Sequence, residues 1–204
     1  MVFRKGGRPV EIVNRFSYLG IVFTTCGSFN ETQNIIAGQA LKAIYKMEKY
    51  LQKFTDMSVS HKVELFDKLI LPILNYGGEI WGFHQGKSIE RIHMRFCKRI
   101  LGVKRTTQND FIYGELGRIP LQTMRYYNII KYWIKILHAN ENRFIKKVYL
   151  MLLQNIADIP NKKNWCSLLR DLLSNLGFYD AWIFQGVGNV DIFLSNVKLR
   201  LMDN

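Results

Sequence analysis

Phosphoryl transfer on two metal ions needs two or three carboxylates presented together from rigid elements, because the ions they hold stand about 4 Å apart. The acids of this chain are scattered instead: Glu79, Glu90, Asp110, Glu115 and Asp180 are each separated from the next by several positions. No pair among them reads as a metal cradle, so no catalytic residue and no metal ligand is expected. His93 and Cys97 share a helical face at i, i+4, but a zinc site needs a second pair and the sequence offers none. Cys26, Cys97 and Cys166 lie far apart with no C-x-x-C among them, which fits a reducing, intracellular compartment, nuclear or cytoplasmic, better than a disulfide framework. No P-loop, G-x-S-x-G or H-E-x-x-H occurs. The "GVGN" at 186–189 lacks the flanking strand and helix of a phosphate loop.

The spacing that carries chemistry is cationic. Lys42, Lys46, Lys49 and Lys53 recur at intervals of three and four, and so do Arg91, Arg95 and Lys98. At about 100° per residue the first set points roughly 150°, and the second roughly 140°, away from the apolar stripe of its own helix. Such ladders hold a phosphate backbone without reading bases, and exposed Tyr or Trp can stack on bases. Tyr132, Trp133 and Phe96 read as core rather than as platforms. The plain alternative for either ladder is a solvated helix face. The whole chain, 204 residues, has 29 Lys plus Arg against 16 Asp plus Glu, a formal net charge of +13 that attracts polyanions. A ribosome-like or membrane-surface basic protein, or a basic fragment of something larger, would carry the same charge.

The elements that must position these residues are mainly helical. Residues 1–25 are the exception: "MVF", the Gly6–Gly7 turn and "VEIVNRFSYLGIVF" read as β structure. A strand that starts at Met1 without a lead-in suggests a chain cut from something longer. A helix follows, capped by Ser28 or Asn30, with Ile36, Ala40, Ile44, Met47 and Leu51 as its buried stripe. A second starts at Ser58 or Ser60 and meets Pro72, which demands a kink or break. A third spans 88–101 on Ile89, Ile92, Phe96 and Ile100. A helix restart at 108–110, punctuation by two glycines and Pro120 in "YGELGRIPL", and a strong helix ending at Asn140 come next. Beyond it, 144–156, 165–176 and 193–204 read as helices, with a loop at "IPNKKN" and a turn at "FQGVGNV". The start lacks the apolar run of a secretory signal, and no stretch reaches the roughly 18 apolar residues of a membrane span. No membrane partner is expected.

The order "MVFRKGGR", "FSYLGIVFTTCGSF", "QALKAIYKM", "LFDKLILPILNYGGEIWGF", "IERIHMRFCKRILGVKRTTQNDFIYGELGRIPL" and "RYYNIIKYWIKI" covers nearly the whole chain. It resembles the carboxyl-side part of LINE-type (non-LTR) retrotransposon reverse transcriptases. "YGGEIW" is similar to the family's Tyr-Gly-x-Glu-x-Trp pattern, with Gly78 where a serine is common. The resemblance implies that "FSYLGI" is the primer-grip hairpin, with Tyr18, Leu19 and Gly20 holding the primer end. It implies that the helices over about 30–102 are the thumb, lying along the template-primer duplex, and that the region beyond Thr106 is the post-thumb segment. The lysine ladder suits a thumb physically, though the family pattern does not single those lysines out. The family's Tyr-x-Asp-Asp motif and earlier palm Asp would lie before Met1, so magnesium is expected only with that missing palm and this chain alone is expected to be catalytically silent.

The sequence thus predicts a mainly α protein: a small N-terminal β hairpin over 1–27, a thumb-like helical bundle over 28–105 and a helical post-thumb region over 106–204. The expected function is that of a fragment of an RNA-directed DNA polymerase that binds an RNA/DNA template-primer duplex, with the parent's palm and fingers as further partners. Two rivals are a stand-alone nucleic-acid-binding protein derived from a mobile element and a helical protein-interaction module.

Overall fold

Residues 15–24 place aromatic and β-branched side chains on either side of a two-residue loop. In the computed structural model, which describes residues 4–9, 11–53, 56–159 and 163–203, they form an antiparallel hairpin. Strand β1 (Arg4–Lys5) pairs β2 (Arg8–Pro9), and β3 (Arg15–Tyr18) pairs β4 (Ile21–Thr24) with Tyr18 opposite Ile21. The strand expected at "MVF" lies outside the described residues. Residues 11–14, expected as strand, are irregular. Val22 of β4 is buried, and Thr32 Oγ1 both accepts from its amide (2.8 Å) and donates to its carbonyl (3.2 Å). That one hydroxyl satisfies an open strand edge which would otherwise bury two unpaired backbone groups.

Thr32 belongs to α1 (Asn30–Leu51), whose stripe of Ile36, Ala40, Ile44 and Met47 is buried while Leu51 is half-buried. Its N-cap is Phe29, not Ser28 or Asn30, and no side chain caps it. Packing sets this start: the Phe29 ring meets Phe23 edge-on at 5.9 Å, and Thr24 Oγ1 donates to the Ser28 carbonyl. Helix α2 (Val59–Leu69) begins at Ser58, whose hydroxyl accepts from the His61 amide. The expected break follows: α3 (Leu71–Leu74) restarts with Pro72 in its first turn, where a missing N–H is harmless.

Gly77, at φ +62°, turns the chain into α4 (Gly78–Trp81). Then come α5 (Lys87–Ile100) and α6 (Asn109–Leu116), which stops at left-handed Gly117. Gly114 lies inside α6 and is not punctuation. Helix α7 (Leu121–Leu137) starts after Pro120 and ends at His138, two residues before Asn140. Next are α8 (Phe144–Asp158) and α9 (Trp165–Asn175), the latter opened by a reciprocal Asn164–Ser167 capping box. The loop between them includes 160–162, outside the described residues. Helix α10 (Tyr179–Ile183) was not anticipated. Helix α11 (Val190–Asp203) starts earlier than the 193 expected, because Asn189 Oδ1 accepts from the amides of Asp191 and Ile192.

The protein is mainly α, with eleven helices and two small hairpins among the described residues. One core gathers Ile36, Phe66, Leu74, Trp81, Ile89, Phe96 and Leu121; a second gathers Ile129, Trp133, Tyr149, Leu169, Leu173 and Val197. Helix α7 contributes to both. No helix among the described residues is long and apolar enough to cross a membrane.

Candidate nucleic-acid interface

The segment 76–86 joins the hairpin to the helices. Leu19 (φ +48°) and Gly20 (φ +79°) form a two-residue turn with both residues left-handed, a conformation a leucine adopts only under constraint. The Tyr76 hydroxyl supplies part of that constraint by donating to the Leu19 carbonyl at 2.9 Å. Beside it, a Cβ on Gly77 would stand 2.5 Å from Ile21 Cδ1, so any other residue would have to push the end of the Ile21 side chain aside. Tyr18 and Leu19 remain exposed, and the rings of Phe16 and Tyr18 stack at 6.4 Å on the outer face of β3.

On its other side the same segment encloses Arg125 of α7, a residue the sequence reading passed over. Arg125 is fully buried, its guanidinium 5.3 Å from the centre of the Trp81 ring and Nη2 3.6 Å from Glu90 Oε1. Gly78, Gly82 and Gly86 line its length: a Cβ at each would meet Cγ (3.4 Å), Cβ (3.2 Å) and Nη2 (2.9 Å) of Arg125 in turn, and at Gly82 it would first meet the Gly78 carbonyl oxygen. The available signal was the spacing of those glycines at four, a groove wide enough for a long side chain. Trp81 completes the motif by donating from Nε1 to the Tyr76 carbonyl at 2.9 Å.

Above Arg125, along the outward face of α5, runs a cleft of about 840 Å³. Lys87, Arg91, Arg95, Lys98, Arg99 and Arg105 line it, with Glu90 as the only carboxylate among the described residues that do. Arg91 and Arg95 are exposed; Lys98 is half-buried and donates to the Arg105 carbonyl at 2.9 Å, which holds the loop after α5 as the cleft wall. Lys42, Lys46, Lys49 and Lys53 are all exposed, the first three on α1 and Lys53 just past its end. Arg95 Nη2 donates to the Tyr45 hydroxyl (3.0 Å) and Arg99 pairs with Glu48 (2.7 Å), so α1 and α5 meet along this seam. Tyr45 lies only about 40–60° around α1 from Lys49 and Lys42, which places the ladder next to the cleft. Tyr45 and Tyr50 are exposed aromatics within this basic surface, whereas Phe96 and Trp133 are core.

The cleft floor is a charge network. Glu90 Oε1 accepts from the Gln122 amide (2.8 Å) and Oε2 from the Tyr113 hydroxyl (3.4 Å). Burial by itself would raise the Glu90 carboxyl; the His93 ring, backbone amides at the start of α7 and the Arg125 charge outweigh it and hold it below the usual range. His93 is buried, and its Nε2 accepts from Arg118 Nε at 2.9 Å while Arg118 forks onto Asp67 (2.5 and 3.2 Å). Burial, aided by Arg118, lowers the His93 pKa. Burial pushes the Cys97 thiol up to about 11. Among the described residues no three of His, Cys, Asp and Glu stand together as metal ligands.

No protein-family model, curated protein or solved structure matches the chain.

Proposed function

We propose that this chain binds a nucleic-acid duplex across the α5 cleft and the α1 lysine face, as the primer-grip and thumb portion of a LINE-type reverse transcriptase. The observation that carries the reading is the convergence of six cations and one carboxylate on a single cleft, next to four further exposed lysines. Cations fixed by a helix scaffold, with few acids among them, contact phosphates without regard to sequence. The residues proposed to do so are Lys42, Lys46, Lys49, Lys53, Arg91, Arg95 and Lys98. In this reading Tyr18, Leu19 and Gly20 hold the primer end, the exposed apolar face of β3 supports packing against the parent's palm, and that palm supplies the catalytic carboxylates and magnesium.

Fluorescence anisotropy with an RNA/DNA hybrid over a salt series tests the proposal. Affinity should fall steeply with salt, by a log–log slope of roughly 0.7–0.9 per phosphate contact, and Arg91→Glu with Lys46→Glu should reduce that slope by about 2. Weak binding that is flat in salt and unchanged when Lys42, Lys46 and Lys49 become Glu would remove the nucleic-acid reading and favour a protein-interaction module.

A further inference from the structure

Glu90 stands among cations that suit phosphates, and a carboxylate repels a phosphate. It is the only carboxylate among the described residues that line the α5 cleft, and its side chain is 25% exposed. Two hydrogen bonds hold it, from the Gln122 amide to Oε1 and from the Tyr113 hydroxyl to Oε2. An ionised carboxylate accepts at about four positions, so roughly two stay open to a ligand. Arg125, at 3.6 Å, neighbours it as a charge but makes no hydrogen bond to it. Beside Glu90 the lining is apolar, with Met94, Val103 and the ring of Tyr113. That ring is fixed by its contact with Glu90 and lies 6.0 Å from the ring of His93, so a planar ligand packing on it has little left to order. Arg91 and Arg95, in contrast, are exposed at the rim. At about 840 Å³ the cleft has the size of a small-ligand pocket, roughly 300–1,000 Å³. The stacked and paired bases of an intact duplex cannot offer it both a face and a free edge.

We propose that the cleft takes an unpaired base of a single strand, its amino group donating to Glu90, its face against Met94, Val103 and Tyr113, and its flanking phosphates on Arg91 and Arg95. A strand running off the end of a duplex supplies such a base. Guanine, adenine and cytosine carry an exocyclic amino group; uracil and thymine present a carbonyl oxygen instead, which the carboxylate repels. The class of ligand rests on the nucleic-acid reading, whereas the preference for an amino-bearing base rests on Glu90 and the cleft.

Fluorescence anisotropy with short oligo(dC) and oligo(dU) on the full chain tests it, together with methyl NMR of Met94 and Val103. The two strands carry the same phosphates and differ by one amino group per base. Oligo(dC) should bind about tenfold more tightly than oligo(dU). It should shift the Met94 and Val103 methyl resonances, which a blunt RNA/DNA hybrid should leave in place. Glu90→Gln should bring the two affinities within about twofold of each other, because an amide both donates and accepts. A weakened fold alone would lower both affinities and keep their ratio, and the wild-type methyl spectrum tests the site without any substitution. Equal affinities in the wild type, methyls that neither strand shifts, or a preference that survives Glu90→Gln overturns the base site; steep salt-dependent binding of the hybrid alongside leaves the nucleic-acid reading standing. Deoxycytidine monophosphate binding as tightly as oligo(dC) overturns the strand in favour of a free nucleotide. The expected preference and shifts in a chain that does not bind hybrid uphold the base site and overturn the duplex alone. A chain that binds neither strand nor hybrid overturns both.

Discussion

At position 77 the backbone has φ +62°, and a Cβ would displace the end of the Ile21 side chain. Gly77→Ala should cost roughly 1–3 kcal/mol in urea unfolding, because strain and a steric conflict add. Gly102, at φ +67° with open space around it, is the control: Gly102→Ala carries the strain alone and should cost about 1 kcal/mol. Equal losses would mean that the Ile21 contact relaxes freely. His93 gives a pH signature. Its folded pKa lies below the ordinary value, so as pH falls the unfolded chain takes up a proton before the folded one does. Its stabilising contribution is therefore complete above about pH 6.5 and is lost as pH falls through the folded value. Glu90, also lowered, adds a second loss that begins only below about pH 4.5. Melting temperature should drop from about pH 7 to 5, and His93→Gln should flatten that part of the curve while sparing the acid limb. A wild-type curve flat across that interval would contradict the assignment. Burial also pushes the thiols of Cys97 and Cys166 up to about 11 and 12, whereas exposed Cys26 is lowered, chiefly by its contact with Thr24. Iodoacetamide should modify Cys26 alone in the native chain, with mass spectrometry as the readout.

Among the elements, the hairpin depends on a hydroxyl from a distant turn. Tyr76→Phe removes the bond to the Leu19 carbonyl and should cost about 1 kcal/mol, seen as faster hydrogen exchange at Ile21. Unchanged exchange would show that the turn holds itself. Periodicity made the larger elements readable beforehand. The stripes of α1 and α5, the break before Pro72 and the Gly6–Gly7 turn follow from spacing and backbone preference, which act locally. What escaped reading was set by partners elsewhere. Phe29 displaces the expected Ser28 or Asn30 cap because its ring packs on Phe23, and Gly114 sits within α6 because a helix held by its neighbours tolerates one glycine. The five-residue α10 is too short to show a 3.6-residue period.

For the whole molecule, the two cores are coupled through α7 and through Trp165, whose Nε1 donates to the Glu79 carbonyl at 2.7 Å. Its ring meets Phe83 at 5.9 Å, Tyr132 at 6.3 Å and Tyr149 at 6.4 Å. Trp165→Ala should cost about 3 kcal/mol and separate the unfolding curves followed by fluorescence and far-UV dichroism, which should coincide in the wild type. Coincident curves in the variant would place the coupling in α7 alone. Read by itself, the sequence determined the mainly helical class, the basic character, and the lysine and arginine faces, since charge and periodicity are properties of residue order. Only the tertiary structure decided that the faces of α1 and α5 adjoin along the Tyr45–Arg95 seam. It alone decided that Glu90 meets Tyr113 and Gln122 in the cleft, and that Gly78, Gly82 and Gly86 pack against Arg125. Those arrangements depend on side chains tens of positions apart, and no local spacing records which distant residue will fill the space a glycine leaves.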